Sequence, residues 1–245
     1  MTGSPRSIAR SLSAPGRRAL DLAIAVAALI VLAPTMLLIA VLIRIESSGP
    51  VFFRQIRLGR GGRPFHLYKF RKFWQHADAA HGAVTLKNDP RMTRVGRILE
   101  RTKFDELPQF WNVLIGDMSI VGPRPETLDF ADCFEDDFRM VLDYTPGLLG
   151  PTQAIFRNES SLYPADLDPQ EFYRRVLFPA KARVDLQYFS RRTMMSDLGW
   201  IIRSVLAVFG FPAFHAKSLT SVETAEDWLR RDRRASAASG IEERI

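Results

Sequence analysis

Residues Leu22–Ile43 read LAIAVAALIVLAPTMLLIAVLI, a run without one charged side chain. A helix needs ~20 such residues to cross a bilayer, so this segment is long enough to enter one. A cleaved signal peptide has a shorter apolar core followed by a small-residue cleavage site; here Pro34 stands mid-segment instead. Arg6, Arg10, Arg17 and Arg18 precede the run, and Arg44, Arg54, Arg57, Arg60 and Arg63 follow it. Basic flanks favour the cytoplasmic side, and a single span cannot keep both there. A helix that enters, breaks at Pro34 and returns can, because proline lacks the backbone donor and clashes with the preceding turn. Two arms of about 11–12 residues, at ~1.5 Å rise, reach only part-way through the hydrocarbon. The expectation is a re-entrant helix-break-helix over residues 19–45, with a kinked ordinary span and a buried soluble helix as alternatives.

Outward from this run, residues 1–18 form a basic tail whose Ser, Pro, Gly and Arg content predicts disorder or lipid contact. Downstream, Gly49-Pro50 marks a turn. Val51–Gln55 and Pro64–Phe70 then read as two strands around the glycine-rich basic loop RLGRGGR at Arg57–Arg63. That loop is a hairpin turn on the plain reading and a phosphate or headgroup contact on the other. His76–Lys87 is polar and irregular. Helices are expected from Asp89 to Thr102, from Asp105 to Leu114, from Leu128 to Leu142 and from Pro169 to Arg192, the last broken near Pro179. Pro146–Gln153 (PGLLGPTQ) reads as loop, and Ser160–Pro169 as another irregular piece. Asp197–Phe209 is strongly amphipathic, facing either a core or the lipid interface, and Val222–Arg234 is a charged helix candidate.

Composition narrows the chemistry. The formal net charge of +7 over 245 residues asks for an anionic partner, whether nucleic acid, anionic lipid or a phosphorylated substrate. A single cysteine, Cys133, excludes an internal disulfide and a Cys-based zinc site, and the four histidines lack metal-ligand spacing. No recognisable nucleic-acid-reading helix or aromatic-basic platform is present, so nucleic acid is not an expected partner.

Two short elements carry the candidate chemistry. Asp105-Glu106-Leu107-Pro108 has the composition of a capped helix start. Exposed amides and a positive dipole end beside the two carboxylates would equally suit phosphate. An aspartate can attack phosphorus to give an acyl phosphate, and an adjacent glutamate can hold Mg2+. Gly122-Pro123-Arg124-Pro125 fixes one guanidinium between two prolines, which leaves it little entropy to lose on binding. The bland alternative is a surface turn. Lys69 and Arg71 form a third cationic element, or else a solvated strand face.

FFRQIRLGRGGRPFHLYKFRKF, NDPRMTRVGRILERTKFDELPQFWNVLIGDMSIVGPRPE and PGLLGPTQ together resemble the bacterial sugar transferase family. These are monotopic polyprenyl-phosphate phosphoglycosyl transferases that start exopolysaccharide, O-antigen or glycoprotein glycan assembly. The resemblance runs in order from Leu20 to Phe209. It implies Asp105 as nucleophile, Glu106 as its partner in metal binding or proton handling, and Arg124 as a phosphate-binding residue. Lys69, Arg71, Asp89 and Arg91 match motif positions of the family, the cations among them as substrate or phosphate binders. Asp105 and Glu106 are the implied Mg2+ ligands, and Pro34 the membrane break. Four departures stand out. Ala33 replaces the serine that often precedes the break proline. Leu99-Glu100-Arg101-Thr102-Lys103-Phe104 replaces the usual Leu-Arg-(Lys/Arg)-Thr-Ser-Leu, Lys72-Phe73 replaces a small polar residue and Met, and Gly150-Pro151-Thr152-Gln153 replaces Gly-Leu-Ala-Gln.

The expected fold is mainly α with a small β-hairpin: a re-entrant membrane helix plus interfacial amphipathic helices around a compact cytosolic catalytic domain at 46–215, with a charged tail at 216–245. The expected partners are a UDP-sugar, polyprenyl phosphate, inner-membrane lipid and, as an open point, a second copy of the chain. The expected location is the cytoplasmic face of the bacterial inner membrane. A catalytically inactive membrane adaptor is the competing reading.

Overall fold

The computed structural model describes residues 15–75, 89–157, 159, 162–163 and 168–208. The readings for residues 1–14, His76–Lys87, Val222–Arg234 and the 216–245 tail lie outside them. Helix dominates. The chain opens with one long apolar helix, α1 (Pro15–Glu46), whose mean hydropathy reaches 2.9 over an 18-residue window. The interruption expected at Pro34 does not appear as two helices: α1 is one helical run with Pro34 inside it. No residue from 26 to 38 is buried, and Ile30, Val31 and Leu37 are about two-thirds exposed or more, at 69%, 72% and 67%.

Both ends of α1 are fixed by polar side chains. Near its start, Arg18 donates to the carbonyls of Val113 and Leu114 (2.6 and 2.9 Å), and Asp21 accepts from the Ser119 hydroxyl and the Ile120 amide. At its finish, Glu46 accepts from the amides of Arg94 and Val95. These two amides begin α2 (Arg94–Thr102) and would otherwise lack partners. The helix starts at Arg94 because Thr93 caps it, its hydroxyl accepting from the Gly96 amide at 2.8 Å. The Asp89-Pro90-Arg91 stretch forms a turn instead of the expected first helical turn, with the Met92 amide bonded to the Asp89 carbonyl.

The expected hairpin is present, longer than foreseen in its first strand. β1 (Phe52–Leu58) and β2 (Pro64–Phe70) are antiparallel, with Phe53 opposite Lys69 and Leu58 opposite Pro64. Phe65 and Leu67 of β2 enter a core with Ala25, Val113, Met118, Ile120 and Phe189. Phe70 points the other way, into a second cluster with Ile39, Ile43 and Leu99. The strand therefore welds both arms of α1 to the rest of the body through opposite faces.

Three further expectations are corrected. α3 spans Gln109–Ile115 and is preceded by a separate 3₁₀ turn, Phe104–Glu106, so Asp105 is not its cap. Leu128–Leu142 forms two 3₁₀ segments, Leu128–Cys133 and Asp136–Asp143, instead of one helix. PGLLGPTQ is not loop: Gly147–Leu149 is a strand, β4, parallel to β3 (Ser119–Val121), and Pro151–Ile155 is a short helix, α4. The strand is possible because Gly122 and Gly147 let two backbones touch. A Cβ on Gly122 would lie 2.3 Å from the Thr145 carbonyl oxygen, and one on Gly147 1.9 Å from the Gly122 nitrogen.

Residues 169–189 form a continuous helical rod, α5, with no break at Pro179. A π turn at Tyr173–Leu177 immediately precedes that proline. Widening the helix there accommodates a ring that an α turn would force against a carbonyl. The last described helix, α6 (Met194–Val208), buries Trp200. Its other apolar side, with Met195, Leu198, Ile202 and Leu206, stays exposed.

Candidate active site

A cavity of about 260 Å³ opens between the end of β2, α2, the 3₁₀ turn at 104–106, the Gly122–Pro125 turn and α4. Asp105 is 3% exposed, and its Oδ1 is buried with no hydrogen-bond partner. Glu106 beside it is held by two cations. Its Oε1 accepts from Lys69 Nζ and from Arg124 Nη2, each at 2.9 Å. Burial opposes its charge, but the Arg124 and Lys69 cations outweigh burial and hold the carboxyl well below its usual range. Burial in turn pushes the Lys69 ammonium down to about 8, against the pull of Glu106. Arg124 is raised, above all by the charge of Glu106.

The local sequence explains each placement. Lys69 follows Phe65 and Leu67 at two-residue spacing on β2, so it continues their face to the point where the apolar core ends. Arg124 is carried by a turn that other residues clamp. The Gln153 amide donates to the carbonyls of Gly122 and Gly147 (3.1 and 3.0 Å), and the Gly147 amide donates to Pro123. Arg57 Nη1 donates to the Pro125 carbonyl at 3.1 Å. The PGLLGPTQ motif thus serves the site from behind.

The structure brings Asp105, Glu106, Lys69 and Arg124 together. It does not bring Arg71 or Arg91. β2 ends at Phe70, so the alternation that would have put Arg71 beside Lys69 stops. Arg71 is buried against the end of α1, donating to the Ser47 and Ser48 carbonyls and the Ser47 hydroxyl. Arg91 binds Asp89 through two nitrogens (2.9 and 2.6 Å) and stacks on Phe73, 4.9 Å from the ring centroid. Pro34 lies within α1, outside the cavity lining.

Several lining residues went unread in the sequence. Lys72 stands 3.8 Å from Asp105 Oδ2 and 3.7 Å from Glu100 Oε1. At the far wall, buried Lys181 bridges Glu126 and Glu159 (3.3 and 3.2 Å) and donates to the Tyr173 hydroxyl at 2.7 Å. Behind it Asp185, raised by burial to about 7, accepts from the Thr152 hydroxyl. Amphipathic spacing would mark Lys181 and Asp185 only as polar breaks in an apolar helix. Their shared direction depends on how α5 packs.

A carboxylate pair thus sits in a cation-lined cavity on one body with a helix long and apolar enough to cross a membrane. The profile of the bacterial sugar transferase family matches residues 12–211, and the chain belongs to that family. It is 38% identical over 203 residues to a UDP-N-acetylgalactosamine-undecaprenyl-phosphate N-acetylgalactosaminephosphotransferase of Aeromonas hydrophila, covering 79% of this chain and 44% of that one. It is 45% identical over 201 residues to a UDP-glucose:undecaprenyl-phosphate glucose-1-phosphate transferase of Escherichia coli, covering 79% and 40%. A Caulobacter vibrioides protein of that same name is 42% identical over 192 residues, covering 77% and 68%. The chain thus spans about two-fifths of the length of the Aeromonas and E. coli relatives.

Proposed function

We propose that this chain transfers a sugar-1-phosphate from a UDP-sugar to polyprenyl phosphate at the cytoplasmic face of the inner membrane. The observation that carries the reading is Asp105, buried with one carboxylate oxygen unpartnered, beside a Glu106 that already binds two cations. Asp105 attacks the phosphorus that bears the sugar. A bond from its oxygen to phosphorus forms, the bridging P–O bond breaks, and UMP departs with the electron pair. An oxygen of polyprenyl phosphate then attacks the aspartyl phosphosugar and releases the Asp105 carboxylate. Lys69 and Arg124, held by Glu106, present fixed positive charge to the diphosphate, so little reorganisation accompanies the reaction.

Mg2+ fits this site. Among the described residues no group of three or more His, Cys, Asp or Glu side chains could cage a metal. Mg2+ needs only one or two carboxylates, its other positions going to water and substrate phosphates. Asp105 and Glu106 would hold it, and it would neutralise charge on the diphosphate.

The membrane reading is a re-entrant α1. A straight helix of 32 residues would be about 48 Å long, yet both of its ends bind one body while no residue from 26 to 38 is fully buried. The exposed apolar side of α6 begins where α1 begins: Asp197 of α6 pairs with Arg17 at 3.3 Å. It suits the headgroup boundary. Cysteines at Ser4 and Ser48, in a chain lacking Cys133, should both resist a membrane-impermeant thiol reagent on intact cells; labelling of Ser4 alone would indicate a single span.

The adaptor reading loses ground because Asp105, Glu106 and Arg124 are all intact and converge. The relatives' names differ in the sugar, so the donor is open. Purified chain in lipid nanodiscs should be given UDP-glucose, UDP-galactose or UDP-N-acetylgalactosamine with Mg2+ and no lipid acceptor. About one equivalent of UMP per active site and the added mass of a phosphosugar are expected, both lost in Asp105→Asn. No UMP without acceptor would refute the covalent route.

A further inference from the structure

Lys72 differs from Lys69 and Arg124 in meeting no carboxylate at hydrogen-bond length, its ammonium standing 5.6 Å from the Phe73 ring centroid. Lys69 and Arg124 each meet Glu106 at 2.9 Å. Lys72 Nζ lies instead between two carboxylates, 3.8 Å from Asp105 and 3.7 Å from Glu100, both beyond ordinary hydrogen-bond length. Its position is nevertheless fixed at the main chain. The Lys72 carbonyl accepts from the Thr93 amide at 2.9 Å, where α2 begins. Gly96 in the first turn of α2 presses on that same carbonyl, and a Cβ there would sit 2.0 Å from the oxygen. Glu100 is one turn beyond Gly96, on the same face of the helix. The close approach that glycine permits is what carries Glu100 over the Lys72 ammonium.

Lys72, Glu100 and Lys103 are places where the charge of this sequence departs from the family pattern. The pattern has an arginine at the position of Glu100 and a small polar residue at that of Lys72.

We propose that Lys72 is a further substrate-contacting cation of this site, one that binds the phosphoryl group on Asp105, and that Glu100 is its positioning residue. The proposal rests on Asp105 attacking phosphorus. When Asp105 forms the acyl phosphate its carboxylate charge is lost, the departing UMP carries the extra negative charge away, and the anionic oxygens of the transferred phosphoryl group are left beside it. The Lys72 side chain then turns from the aspartate to those oxygens. When Asp105 is released as a carboxylate, Lys72 returns to its place between the two acids. Glu100 keeps the ammonium over the cavity throughout, and its distance from Asp105 is set by Gly96.

The test is a charge exchange in the full chain in nanodiscs. The donor is UDP-glucose or UDP-N-acetylgalactosamine, whichever the parent chain turns over faster, and the readout is the single-turnover UMP burst without acceptor. Lys72→Ser should slow the burst about 100-fold, the scale of losing one transition-state contact. Lys72→Arg should stay within about 10-fold of the parent, since the charge remains. Lys72→Ser combined with Glu100→Arg should recover at least about 10-fold over Lys72→Ser alone, because the cation re-enters from the helix side. A thermal melt of Lys72→Ser that matches the parent's shows that the single variant folds. A Lys72→Ser burst at the parent rate would overturn the proposal, as would a double variant no faster than Lys72→Ser. A burst lost in Asp105→Asn and kept in Lys72→Ser removes this proposal alone. A burst kept in Asp105→Asn removes the aspartyl reading and this proposal with it.

Discussion

The cavity has two charged walls of opposite logic. At one, two cations share a single carboxylate, Lys69 and Arg124 on Glu106. At the other, two carboxylates share a single cation, Glu126 and Glu159 on Lys181. The first wall keeps positive charge in excess and attracts an anion. The second is closed, its lysine enclosed by acids and the Tyr173 hydroxyl, and it offers acceptors in place of net positive charge. One body thus sets a wall with positive charge in excess against a wall with negative charge in excess. It does so by counting charges, since both walls are built from the same residue types.

The largest break in that contrast should come from the cationic wall. Arg124→Ala leaves Glu106 buried with one cation fewer, and turnover should fall about 10²–10³-fold with membrane association unchanged. Vesicle flotation and UMP release measure the two separately. A loss of flotation would mean that the turn supports the fold rather than the chemistry.

The same wall should titrate. Lys69 sits at about 8, lowered by burial from its usual value. Its charge is present below that pH and lost above it. Activity that depends on Lys69 should therefore decline as pH rises through about 8. Lys69→Arg, whose guanidinium stays charged, should move that decline to higher pH; an unchanged pH–rate profile would acquit Lys69.

A smaller effect is expected from behind the wall. Gln153→Ala removes the two bonds that staple the Arg124 turn to β4, without touching the cavity cations themselves. About 10-fold lower kcat with little change in thermal stability is the outcome to look for, on the scale of a misplaced positioning group. A pure stability loss would make the staple structural only.

The smallest effect belongs to the acidic wall. Burial raises Asp185 from 3.8 to about 7. A carboxyl whose folded value exceeds its unfolded one stabilises most below about pH 4 and loses that contribution as pH rises through about 7. Asp185→Asn cannot ionise, so it should melt above the parent at pH 8, and the difference should shrink toward pH 5. Equal shifts at both values would show that packing against Thr152, not charge, decides.

Much of this site was legible because its residues are neighbours in sequence. Asp105 and Glu106 are adjacent, and Arg124 stands between two prolines, so the sequence singles them out, although Gln153, Gly147 and Arg57 hold the Arg124 turn in place. Lys69 was legible from the alternation along β2. Arg71, a motif position by resemblance, stands outside the cavity because β2 ends at Phe70 and the arginine goes to Ser47 and Ser48 at the end of α1. Arg91 is satisfied by a partner two residues away, Asp89, a local pairing that position in a motif cannot reveal. The strand within PGLLGPTQ was missed because it exists only where Gly147 meets Gly122 across the fold.

The sequence by itself determined the apolar run with basic flanks, the hairpin, the acid pair and the clamped arginine. Each depends on periodicity or on residues that touch their own neighbours. Only the tertiary structure decided that Lys181 joins Glu126 to Glu159, that Gln153 braces Arg124, and that Gly96 lowers Glu100 onto Lys72. Those contacts join segments far apart in the chain, and their direction is set by how closely two backbones approach, a distance that residue type alone does not fix.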